Sequence, residues 1–175
     1  MSNNYFLTVM SAFLLPSVAL CQLGAPGGEW PTYGGDLGHT RYSSLDQIDS
    51  SNFSELEVAW TFDAANFGPS PEYRYQSTPL MINGRVFTTA GSRRAVVSLD
   101  AKTGEILWMH SLDEGERGEY APRQLSGRGL AYWVSEDGSE ERVIYVTPGY
   151  RMMALDAVTG NPVASFGDNG IVDLK

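Results

Sequence analysis

Arg128 heads the sequence Arg128-Gly129-Leu130-Ala131-Tyr132, just before a run of strand-forming residues. A guanidinium held there is a planar, permanently charged donor able to stabilise negative charge developing on an oxygen. The position equally suits an exposed strand-end arginine in a salt bridge. Gln76 lies three residues before Pro79, at the mouth of another strand-like run. Its amide donates and accepts hydrogen bonds without adding charge, which serves a ligand contact or a turn cap equally well. Other reactive residue types are not spaced for a site. His39 and His110 have no metal-ligand spacing and read as strand or turn residues. Asp100 and Asp156 look like a carboxylate pair, yet each opens an equivalent turn and reads as a backbone cap. Trp60 and Trp108 read as packing between neighbouring sheets. There is no Gly-x-Gly-x-x-Gly, P-loop or nucleophile elbow. The single cysteine, Cys21, permits no intrachain disulfide and no cysteine-based metal site.

The elements around these residues repeat. Leu99-Asp100-Ala101-Lys102-Thr103-Gly104 returns 56 residues later as Leu155-Asp156-Ala157-Val158-Thr159-Gly160. A fixed period is the mark of a repeat architecture, in which each unit needs neighbours to cover its apolar face. Residues 56–62 alternate like a strand. Residues 79–82 and 85–89 flank Asn83-Gly84, a hairpin turn in which both positions need positive φ. A turn at 91–94, a strand at 95–99, the Asp100 turn and a strand at 105–110 complete the first unit. The second unit has strands at 130–134, 143–147 and 152–155, then the Asp156 turn and a strand at 162–166. Ala164 falls where the period would place a second Trp108, and Phe166 is the expected replacement on the same strand face. The expected fold is all-β: a β-propeller of four-stranded antiparallel blades, of which only two to three are present. Two blades cannot close a ring, so closure calls for residues beyond Lys175 or for several chains.

Composition bounds the partners. With 42% hydrophobic and 19% charged residues the chain is globular, and a net charge of −9 with no basic run sets nucleic-acid binding aside. No residue before Glu29 is charged and residues 5–20 are mostly apolar. Residues 1–21 therefore read as a signal peptide, although without a basic n-region, and residues 22–175 as propeller in a periplasmic or secreted protein.

The ordered segments Trp30-Pro31-Thr32-Tyr33-Gly34-Gly35-Asp36, His39-Thr40-Arg41-Tyr42-Ser43 and Leu45-Asp46-Gln47-Ile48 resemble the N-terminus of pyrroloquinoline quinone (PQQ) dependent dehydrogenases. So do residues 56–62, the two Asp–Thr-Gly turns, the Arg128 segment and residues 166–174. The likeness is nearest to the glucose dehydrogenase-like branch. It implies an eight-bladed propeller with PQQ on the axis beside a divalent cation, usually calcium. It further implies oxidation of a sugar or polyol, with electrons passed to a quinone or cytochrome. By the same resemblance Arg128 and Gln76 contact the cofactor, and Gln124, where related enzymes carry a histidine, lies on the substrate side. Residues 121–123 read Ala-Pro-Arg where the alcohol-oxidising branches carry adjacent cysteines. The family's general base and metal ligands lie in later blades, so this segment alone is expected to be inactive. The alternative is a noncatalytic PQQ-repeat propeller that binds proteins as a cell-envelope scaffold.

Overall fold

Asn83 (φ 50°) and Gly84 (φ 71°) both adopt left-handed backbone, and they reverse the chain in two residues between β1 (Leu80–Ile82) and β2 (Arg85–Ala90). β3 (Ala95–Asp100) and β4 (Ile106–His110) complete an antiparallel sheet in the order β1-β2-β3-β4. A short helix α1 (Glu116–Glu119) precedes the second sheet. That sheet has the order β5 (Ala131–Val134), β6 (Glu141–Val146), β7 (Arg151–Asp156) and β8 (Ile171–Asp173). This computed structural model describes residues 24–125 and 129–175. The expected signal peptide, residues 1–21, and Arg128 lie outside the described residues.

The two sheets stack through one apolar layer. Leu80, Ile82, Phe87 and Val96 of the first sheet meet Val143, Tyr145, Met153 and Leu155 of the second. Pairing fixes which side chains share this face: Thr89 opposes Val96 and Phe87 opposes Ser98. The alternate residues, Val97 and Leu99, turn to the opposite face and lie under Trp60, Phe62 and Phe67. β3 is thus buried on both sides, which is why residues 95–99 are nearly continuous in apolar character.

Each sheet ends in the same turn. Asp100 Oδ1 accepts the backbone N–H groups of Lys102 (2.9 Å) and Thr103 (2.8 Å). Asp156 Oδ1 does the same for Val158 (3.0 Å) and Thr159 (2.7 Å). Those N–H donors hold the Asp100 carboxyl below its ordinary pKa, the Thr103 N–H most of all. Gly104 and Gly160, both at φ 75°, then take a tryptophan against the backbone. Trp60 Nε1 donates to Ala101 O and Trp108 Nε1 to Ala157 O, each at 3.1 Å. A β-carbon on Gly160 would lie 2.6 Å from the Trp108 ring, and one on Gly104 would lie 2.7 Å from Trp60. Trp108 therefore packs between the two sheets as expected, whereas Trp60 lies over the outer face of the first sheet, with no second sheet beyond it among the described residues.

Two expected strands are corrected. Residues 56–62 form no strand: no ladder partner runs beside them among the described residues, and they instead lay Trp60 and Phe62 over the first sheet. Residues 162–166 make a single bridge, Leu155 to Pro162, because Ala154 N donates to Gly170 O (3.0 Å) and the chain turns away after Val163. The chain turns at 164–167, and β8 is the fourth strand, opposing Arg151–Met153. Phe166 sits half-buried in that turn and not on a strand, so it does not replace a second Trp108.

Candidate functional site

Antiparallel alternation sorts the connections to two ends. The tight turns at 83–84, 101–104, 135–140 and 157–160 share one end. The connections 62–79, 91–94, 111–125 and 147–150 share the other, termed here the loop end. Of the residues that the sequence suggests for cofactor or substrate contact, Gln76 and Gln124 fall there, and Arg128 lies outside the described residues.

Gln76 lies exposed in the extended run that enters β1, with no hydrogen-bond partner among the described residues. Gln124 is also exposed, and its Nε2 donates to the Glu119 carbonyl. It lines a cavity of about 110 Å³ with Ser92, Arg93, Asp113, Glu114 and Pro148. Arg128 itself is not described, but its neighbour is informative. A β-carbon on Gly129, which has φ 73°, would lie 3.7 Å from the Thr78 carbonyl oxygen. The lead-ins to β1 and β5 therefore converge, one carrying Gln76 and the other following Arg128. His110, half-buried at the end of β4, has its pKa lowered by desolvation and no partner on Nε2 among the described residues. Neither it nor exposed His39 joins a metal cluster, and no such cluster of three His, Cys, Asp or Glu occurs among the described residues.

Three charged residues missed by sequence reasoning, Glu114, Arg94 and Arg117, organise this end. Glu114, whose side chain is 2% exposed, accepts bonds from Thr147 Oγ1 (2.8 Å), Gly149 N (2.7 Å) and Arg151 Nη1 (2.9 Å). Three donors on one carboxylate offset the cost of burying it. Arg94 is buried with its guanidinium on three backbone carbonyls. Arg117 ties α1 to β8 through a two-bond pair with Asp173 (2.6 and 2.5 Å). That pair is the main reason the Asp173 carboxyl lies well below the usual carboxylate range. Only Arg94 leaves a trace in the sequence, as an arginine in a turn position that favours glycine.

Residues 30–175 match the family model described as the glucose/ethanol/alcohol dehydrogenase β-propeller domain of the PQQ group. The chain belongs to the PQQ-dependent dehydrogenase family. It is 36% identical over 146 residues to the dehydrogenase subunit of an alcohol dehydrogenase (quinone) from Gluconobacter oxydans, covering 81% of this chain and 17% of that protein. It is 28% identical over 169 residues to a glycerol dehydrogenase large subunit from the same organism, covering 91% of this chain and 22% of that protein. Among solved structures, quinohemoprotein alcohol dehydrogenase from Comamonas testosteroni superposes with a TM-score of 0.58 at 30% identity, over 77% of this chain and 18% of that one. The chain thus spans about a fifth of the length of these PQQ-family relatives, and its two four-stranded sheets are part of a propeller.

Proposed function

We propose that this chain is the N-terminal part of an exported PQQ-dependent dehydrogenase that oxidises a sugar or polyol and passes the electrons to a quinone or cytochrome. The observation that supports the reading is the close approach of Gly129 to the Thr78 carbonyl, Thr78 following Gln76 by two residues and Gly129 following Arg128 by one. The donor set suits a planar tricarboxylate quinone. The exposed amides of Gln76 and Gln124 donate without adding negative charge, and the exposed guanidinia of Arg74 and Arg123 lie on the same end of the sheets. Two of the acidic groups there are drawn inward, since Glu114 is fully engaged and Glu72 is buried with one oxygen accepting from Gly91 N (3.0 Å), while Asp113, Glu116 and Glu119 stay exposed.

The chemistry that PQQ supplies when bound is acceptance of a hydride at its ortho-quinone, which leaves negative charge on a quinone oxygen. The role of Arg128 is to donate to that oxygen and stabilise the charge. Gln76 orients the ring system by hydrogen bonding, and Gln124 faces the substrate. The general base and the ligands of a divalent cation, calcium in this reading, belong to later blades outside this chain. A sugar or polyol is preferred over a simple alcohol because residues 121–123 offer no adjacent cysteines. Residues 1–21 act as the signal peptide, placing the enzyme in the periplasm or outside the cell.

The test is dye reduction by the full-length protein with PQQ and calcium, using glucose, glycerol and ethanol. Turnover of glucose or glycerol that falls at least about a hundredfold in Arg128→Ala is the expected outcome. A folded protein with no PQQ-dependent turnover overturns the reading and favours the protein-binding scaffold. Preference for ethanol overturns the substrate class alone.

A further inference from the structure

Arg94 closes the turn between β2 and β3 with φ 53°. The turn sets that conformation, since Tyr150 at the same place in the equivalent turn has φ 64°, and what distinguishes Arg94 is where its side chain goes. That side chain is buried, with the residue 7% exposed. Its Nη2 donates to Arg123 O (3.0 Å), its Nε to Leu125 O (3.2 Å) and its Nη1 to Val146 O (2.8 Å). No carboxylate pairs with the guanidinium among the described residues, and burial pulls its pKa down. A buried cation held on carbonyls gains little as an ion pair, but it fixes the backbone that supplies those carbonyls. Two of the three come from alternate residues of one segment and bracket Gln124. The base of the turn is held in its own right, since Gly91 N donates to buried Glu72.

We propose that Arg94 is a positioning residue: its grip on the Arg123 and Leu125 carbonyls fixes the segment that presents Gln124 to the small polar cavity at the loop end. The inference rests on the reading of Gln124 as the substrate-side residue of a quinoprotein dehydrogenase. Arg94 itself touches neither substrate nor cofactor. Its geometry explains why a loop without regular structure can still present one amide in a defined place.

The test uses the full-length protein with Arg94→Met, which keeps length without donors, and Arg94→Lys, which restores one donor group. Trypsin cutting after Arg123 is measured against cutting after Lys102, an exposed residue of the Asp100 turn. The ratio is expected to rise about tenfold in Arg94→Met and less in Arg94→Lys, as one lost anchor of about 1.4 kcal/mol implies. KM for glucose or glycerol is expected to rise with kcat within about twofold, as for a lost binding contact. Trp108→Phe, which removes the bond to Ala157 O and lowers stability generally, should leave both readouts unchanged.

An unchanged cutting ratio in Arg94→Met, or an equal rise in Trp108→Phe, overturns the proposed grip. A raised ratio with unchanged KM overturns the link to Gln124. Absence of PQQ-dependent turnover in the wild type counts against the dehydrogenase reading, while the cutting ratio still decides whether Arg94 holds the segment.

Discussion

The two ends of the same pair of sheets follow opposite rules. At the turn end the two units are copies: Asp100 and Asp156 cap their turns through the same two N–H groups, and Trp60 and Trp108 donate to Ala101 and Ala157 at the same 3.1 Å. At the loop end the corresponding turns share their backbone, each with a left-handed fourth residue bonded back to the first at 3.1 Å, but not their side chains. Residues 91–94 read Gly-Ser-Arg-Arg and bury a guanidinium, whereas residues 147–150 read Thr-Pro-Gly-Tyr and surround a carboxylate. Repetition marks the surface that docks blade on blade, and divergence marks the surface where each blade contributes something different. Function is therefore sought at the end where the repeat breaks down.

That contrast breaks most easily at the tryptophans. Trp108→Ala is expected to destabilise the full-length protein by about 3 kcal/mol, since it removes a large packed ring and its hydrogen bond. Trp60→Ala should match it within about 1 kcal/mol if the two units are true copies. Denaturant unfolding checks both, and a Trp60 variant of wild-type stability would end the equivalence. A smaller effect, about 2 kcal/mol, is expected for Gly160→Ala, because the added methyl meets Trp108 in left-handed backbone. PQQ affinity should not move in that variant beyond what the stability loss explains.

At the caps, Asp156→Ala and Asp100→Ala should each lower the unfolding midpoint through loss of about 1 kcal/mol. The smallest expected effect lies at the loop end, in the exposed Arg117–Asp173 pair. The Asp173 carboxyl is held below its ordinary pKa, chiefly by its bonds from Arg117, so its contribution is complete above that ordinary value and disappears as pH falls through its folded pKa. Asp173→Asn should therefore match wild type in strong acid and be less stable than wild type near neutral pH, a difference that pH-dependent unfolding resolves.

How much of this was legible in the sequence depended on whether the cause was local. Asn83-Gly84 and the two Asp–Thr-Gly turns were legible because their geometry follows from the conformations that Asn, Asp and Gly allow within four or five residues. β3 was legible because burial on both faces writes a continuous apolar run. Residues 56–62 carry a strand pattern, yet a strand also requires a neighbouring edge, which no local pattern supplies. The fourth strand of the second sheet was misplaced for a related reason. The chain turns away after Val163, and left-handed Gly167 and Gly170 shape the turn that delivers β8 and puts Gly170 O on Ala154 N. The roles proposed for Gln76 and Gln124 come from the family resemblance and not from any local pattern. Glu114 was hidden in the acidic run 113–119, because its burial depends on Thr147, Gly149 and Arg151 more than thirty residues away.

Equilibrium titration of the full-length protein with PQQ, followed by tryptophan fluorescence, tests most directly the claim that the loop end is a cofactor site. The account predicts saturable one-to-one binding, weakened at least about tenfold by Arg128→Ala and unaffected by Asp156→Ala at the opposite end. A folded, complete propeller that ignores PQQ, or that loses PQQ equally in both variants, would contradict it.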